Sequence, residues 1–141
     1  MTDAVTLIEP PPADAASEPF WDATRDRRLV LPWCTACERA FWYPREVCPA
    51  CLGSVAASAI EWRPAAGTGT VHAASVHHRP GPGRDPGGGP YVVALVDLPE
   101  GVRMMSNVVG CPPESVSVGM PVRVTWHPLS DGRHLPQFEP A

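Results

Sequence analysis

Four cysteines carry the clearest chemistry in this chain. Cys34 and Cys37 are separated by two residues, Cys48 and Cys51 likewise, and ten residues lie between the pairs. Two cysteines at that spacing in a tight turn aim both sulfurs at one point, and two such knuckles close a tetrahedral S₄ shell with metal–sulfur distances of about 2.3 Å. Four protein ligands leave no open position, so a metal held there is structural rather than catalytic. Zinc and a rubredoxin-type iron both suit such a shell. Two disulfides or a chance cluster of buried thiols are the competing readings, and a reducing compartment argues against the former.

Other reactive side chains are less organised. Cys111 stands alone before two prolines with no neighbouring base, which reads as a small buried hydrophobe rather than a nucleophile. His72, His77 and His78 fall on one predicted strand, where strict alternation puts His72 and His78 on one face and His77 on the other. They are candidate ligands or acid–base groups, and equally edge residues. The segment 79–90, RPGPGRDPGGGP, cannot be a strand, and a loop of this kind on a rigid scaffold is a candidate binding surface. No paired carboxylates, nucleophile with an adjacent base, or Gly-rich phosphate loop leading into a helix is present, so no catalytic residue is assigned.

The elements that must position these groups follow from punctuation and periodicity. With 19 prolines and 12 glycines in 141 residues, long helices are excluded and a mainly β fold is expected. Residues 1–16, with a PPP run and no periodicity, have the composition of a disordered tail. Residues 17–28 predict a short helix, with Ser17 as its cap and Phe20, Trp21, Ala23 and Thr24 at helical spacing. Residues 29–63 predict a ribbon, in which LVLPW leads into the first knuckle, AFWYP separates it from the second, and IEW adds a third strand after a small-residue connector. Residues 64–141 predict a barrel. Its strands run Gly67 to His78, Tyr91 to Asp97, Val102 to Val109, through Val122, Val124 and Trp126, and near Leu135 to Glu139. A helical turn at Pro112 to Ser115 falls between the third and fourth, which is the plan of a five-stranded OB-fold.

Composition also excludes functions. The net charge is −4, and all 11 basic residues are arginines, so there is no basic stripe to neutralise a phosphate backbone and no nucleic-acid partner is expected. The first residues lack a signal-peptide pattern and no stretch approaches a membrane span, so a cytoplasmic, non-membrane protein is expected.

In order, PFWDATRDRRL, WCTACERAFWYPREVCPAC, IEWRPAAGTGTVHAASVHH, PYVVALVDLPEGVRMMSNVVG and VGMPVRV resemble the zinc-ribbon and OB-fold accessory proteins associated with thiolase-superfamily enzymes. The resemblance runs from about Ser17 to the end. It implies a rubredoxin-like zinc ribbon, a structural zinc on Cys34, Cys37, Cys48 and Cys51, and a non-catalytic subunit docked on a thiolase-like partner. That partner would be a thiolase, an acyltransferase or a steroid side-chain retro-aldolase, with a heterotetramer as the expected assembly. It also implies help in binding acyl-CoA, for which Arg79 and Arg84 on the 79–90 loop are the candidate phosphate contacts. Some relatives carry a fused hot-dog hydratase domain that these residues do not contain, so hydratase activity would need a separate chain.

Overall fold

The structure is a computed structural model that describes residues 8–52, 60–81, 84–85 and 87–141. The first seven residues, the connector over 53–59, and positions 82, 83 and 86 of the loop lie outside the described residues. Helix α1 (Glu18–Thr24) is followed by a three-stranded antiparallel ribbon of β1 (Val30–Cys34), β2 (Arg39–Ala40) and β3 (Ile60–Pro64), in the order β2-β1-β3. Then come β4 (Thr68–His77), β5 (Tyr91–Asp97), β6 (Arg103–Val108), a 3-10 turn (Pro113–Ser115), β7 (Pro121–Pro128) and β8 (His134–Pro140). These five strands form a closed barrel in the order β4-β5-β6-β8-β7. It is closed by Thr68–Thr70 of β4 against Pro121–Arg123 of β7 and by a parallel Val108–Phe138 pairing between β6 and β8. This is the OB-fold plan expected from the strand spacing, with its helical turn between the third and fourth barrel strands.

β5 shows why the barrel holds. Val92, Ala94 and Val96 alternate inward and are buried, and Phe138, Val122, Val71 and Met104 complete the interior from the other strands. At Gly69 an added Cβ would stand 2.5 Å from Val96 Cγ1 and 2.9 Å from the Asp97 carbonyl oxygen, so only glycine lets β4 pack this closely. The ribbon is not a separate globule. Leu29, Leu31 and Ala40 share one continuous buried cluster with Phe20 of α1 and the barrel interior.

Three expectations are corrected. The helix spans Glu18–Thr24 rather than 17–28, because Arg27 adopts a left-handed backbone (φ 54°) while the N–H groups of Arg27 and Arg28 bond back to Thr24 and Ala23. The Ser17 side chain makes no cap hydrogen bond to the helix. Asp14 Oδ1 accepts the Ser17 N–H at 2.8 Å and Ser17 Oγ accepts the Asp14 N–H at 3.1 Å, a reciprocal cap one turn earlier. Residues 8–16 are not a loose tail, since the Pro11 carbonyl accepts a hydrogen bond from Arg133 Nη2 at 2.7 Å and Ile8 forms an antiparallel bridge with Arg84.

α1 is tied down by polar contacts with the β7–β8 end of the barrel. Thr24 Oγ1 donates to the Trp21 carbonyl and accepts the His134 N–H, while His134 Nδ1 donates to the Thr24 carbonyl at 2.8 Å. Arg133, buried, bonds Asp131 at 2.6 Å and lies over the Trp21 ring.

Candidate functional site

The first knuckle lies between β1 and β2, so Cys34, the last residue of the central ribbon strand, is held by pairing on both sides, with Arg39 and with Ile60. The second knuckle follows the AFWYP segment. Between them the four sulfurs come within 4.8 Å of one another, with Cys34–Cys51 and Cys37–Cys48 separations of 4.0 Å. A regular tetrahedron with metal–sulfur bonds of about 2.3 Å has edges of about 3.8 Å, so the arrangement fits one zinc ion. Cys34 and Cys48 are buried and Cys37 and Cys51 half-buried, which leaves two ligands on the solvent side of the knuckle.

As bare thiols the four groups are unequal. Hydrogen bonding to Cys34, together with burial, pushes Cys37 up to about 12. Backbone N–H groups of Cys51 and Ala50 stabilise the Cys48 thiolate and hold it down at about 7. Four thiolates cannot share one point without a cation, and N–H groups aimed at sulfur are what a bound metal thiolate requires.

The aromatic residues around the ribbon divide between packing and exposure. Phe41 packs with Cys34 and Cys48, Trp42 meets Phe20 edge-on with ring centroids 5.0 Å apart, and Arg63 covers Trp33 at 4.9 Å. Tyr43 (55% exposed), Val47 and Leu52 (81% exposed) remain in solvent beside the second knuckle. Val47 and Leu52 line one surface depression with Cys48, while Tyr43 lies edge-on to Trp42.

The histidines are placed differently from strict alternation. A bulge between Val71 and Ala73 shifts the β4 register, so that Thr70 and His77, facing Asp97 and Tyr91, lie on the outer face of the barrel. His72, at the bulge, approaches Asp97 to 3.5 Å, while Arg103 bonds the same carboxylate at 2.6 Å and holds its pKa below the ordinary carboxylate value. His77 stacks on Tyr91, and His78 lies beyond the end of β4 in solvent. No two of the three share a site.

Pro80, Arg84, Asp85, Gly88, Gly89 and Pro90 line an open cavity of about 500 Å³. Arg84 and Tyr91 line it beside Cys111, His127 and Gln137, so the structure brings together a cysteine and a histidine that are far apart in sequence. Arg84 Nη2 donates to Asn107 Oδ1 at 2.6 Å, and its guanidinium lies 4.3 Å from the Tyr91 ring centroid. Asn107 Nδ2 donates to the Val92 carbonyl, and Gln137 Nε2 to Asn107 Oδ1. Asn107 and Gln137 had no sequence signal beyond being polar residues within otherwise apolar strands. Arg79, by contrast, is exposed.

Comparison with known proteins agrees with both modules. The family model described as the ChsH2 rubredoxin-like zinc ribbon domain matches residues 21–55, and that of the ChsH2 C-terminal OB-fold domain matches residues 62–127. A probable enoyl-CoA hydratase alpha subunit of Thermomonospora curvata is 41% identical over 136 residues, covering 95% of this chain but only 40% of that protein. A DUF35 domain-containing scaffold protein of Methanothermobacter thermautotrophicus is 31% identical over 98 residues, covering 70% of this chain and 71% of the relative. Among solved structures, a chain of the Ltp2-ChsH2(DUF35) aldolase superposes with a TM-score of 0.78 at 38% identity, over 93% of this chain and 98% of that one. No helix among the described residues is long and apolar enough to cross a membrane. With both modules matched in sequence and their arrangement matched in fold, the chain belongs to the ChsH2/DUF35 family of zinc-ribbon and OB-fold proteins.

Proposed function

We propose that this chain is a non-catalytic accessory subunit that docks on and stabilises a thiolase-like acyl-CoA enzyme, most simply as a heterotetramer around a partner homodimer. The partner is a thiolase, an acyltransferase or a steroid side-chain retro-aldolase, acting in the cytoplasm. The observation that carries this reading is the likeness, across nearly the whole chain, to a chain of the Ltp2-ChsH2(DUF35) aldolase. Two further observations support it. Tyr43, Val47 and Leu52 are exposed near the cysteine knuckles in sequence, and exposed large apolar side chains of this kind are candidates for protein interfaces. The scaffold name borne by a relative of similar length points the same way.

Nucleic-acid binding is disfavoured, since of the barrel aromatics Phe138 is fully buried and Tyr91 is engaged by His77 and Arg84. A contact with acyl-CoA through the 79–90 loop, using Arg79 and Arg84, belongs to the same proposal. Co-purification of the tagged chain with the thiolase-like subunit of its host tests the reading. The expected product is a stable complex active on acyl-CoA, with the isolated chain inactive. Acyl-CoA cleavage or condensation by the chain alone, or full partner activity and solubility without it, would contradict the proposal.

A further inference from the structure

The cavity at the end of the barrel contains a cation, Arg84, that forms no ion pair among the described residues. Among the described residues Arg25, Arg63, Arg103, Arg123 and Arg133 each lie against a carboxylate; Arg27, Arg28, Arg39, Arg45 and Arg79 do not but are exposed, whereas Arg84 is both unpaired and half-buried. Among the described residues its side chain meets the neutral amide of Asn107 and the ring of Tyr91. Asp85 also lines the cavity, yet its Oδ1 accepts the Gly87 N–H instead. A partly buried guanidinium loses hydration, and burial pulls its pKa downward here. Folded proteins usually offset that loss with an anion.

The surroundings narrow which anion. Val92, Val108, Val109 and Pro113 provide apolar walls, and Gln137, 6% exposed, provides a polar floor tied to Asn107. Ile8 closes one side through its bridge to Arg84. About 500 Å³ of such space is the size and character of a small-molecule site. With the Asp85 carboxylate also in the lining, the cavity carries no net positive charge, so Arg84 suits a monovalent carboxylate better than a multiply charged, strongly hydrated phosphate.

We propose that this cavity is a binding site for a small monocarboxylate with a short aliphatic body, its carboxylate paired with Arg84. The site does not depend on partner docking, and it narrows the acyl-CoA contact proposed above, leaving the exposed Arg79 as the arginine for phosphates.

The test is an NMR titration of the isotope-labelled, zinc-loaded chain with hexanoate, hexanamide, inorganic phosphate and CoA, in the wild type and in Arg84→Gln and Arg84→Lys. Hexanoate should give saturable shifts around Asn107, Cys111 and Gln137. Hexanamide, and hexanoate on Arg84→Gln, should bind at least about tenfold more weakly, with Arg84→Lys in between. Equal binding of hexanoate and hexanamide, or unchanged binding to Arg84→Gln, would overturn the proposal. If Arg84→Gln does not fold, the wild-type contrast between acid and amide decides. CoA or phosphate shifting these residues while hexanoate does not would overturn the carboxylate site but leave the acyl-CoA contact standing. Hexanoate binding with no response to CoA supports the site and removes Arg84 from that contact. No response to hexanoate or CoA at these residues overturns the carboxylate site and removes Arg84 from the acyl-CoA contact.

Discussion

The ribbon and the barrel are stabilised by different physics. The barrel, α1 and the base of the ribbon share a buried cluster of fourteen residues that runs through every barrel strand, whereas among the described residues the knuckles have Cys34, Phe41 and Cys48 buried together. Three residues cannot offset the entropy of ordering two cysteine loops, so the metal must supply what the core does not. The barrel is therefore organised by apolar burial and the ribbon tip by coordination. The difference teaches where function can sit, because a metal-tied tip keeps a fixed shape while leaving Tyr43, Val47 and Leu52 uncovered.

The largest expected effect breaks this comparison at the metal. Cys48→Ser, or removal of zinc by a strong chelator, should reduce zinc from one equivalent per chain to a small fraction. Hydrogen-exchange protection over residues 34–51 should then be lost, while β5 and β6 remain protected. Exchange that rises equally in both regions would mean that the two are one cooperative unit. Next comes the barrel interior. Phe138→Ala removes a ring with no solvent exposure and should cost about 3–5 kcal/mol, read as a lower urea midpoint. Zinc content should be unchanged in the protein that remains folded.

The seam between the regions sharpens the contrast with a smaller effect. Thr24→Val leaves the His134 N–H without its hydroxyl acceptor and the Trp21 carbonyl without its hydroxyl donor, and should cost about 1–3 kcal/mol. Asp14→Ala removes half of the reciprocal cap and should lower the melting temperature by less than Thr24→Val does. The smallest effect is a pH dependence. Burial alone would raise the Asp131 pKa, but the backbone N–H and guanidinium of Arg133 bring it to a net lowering. A carboxyl whose folded pKa is depressed contributes stability above its unfolded value and loses it as pH falls through the folded one. Below pH about 4 the wild type should therefore lose melting temperature more steeply than Asp131→Asn.

How much of this was legible in the sequence follows from the range of each interaction. The metal site was readable because coordination demands particular residues at particular spacings, and Cys34, Cys37, Cys48 and Cys51 state that demand locally. The barrel strands were readable from alternation and from the turns at 98–101 and 113–115. The helix end was not, since it depends on Arg27 adopting a conformation its residue type does not announce. The facing of the histidines failed for a similar reason: a bulge at Val71/Ala73 is a property of pairing with β5, absent from β4 read alone. The polar floor of Asn107 and Gln137 was hidden because two polar residues thirty positions apart acquire meaning only when the barrel closes.

The central claim is that the metal-tied tip is a docking surface on a non-catalytic subunit. Native mass spectrometry of the chain mixed with its thiolase-like partner tests it most directly, comparing the wild type with the Tyr43→Ser/Leu52→Ser double variant. Both side chains are exposed, so the variant should keep its melting temperature and its one zinc per chain. The account predicts a zinc-containing complex with the wild type and at least about a tenfold weaker one with the variant. A variant that binds the partner as tightly as the wild type would contradict it.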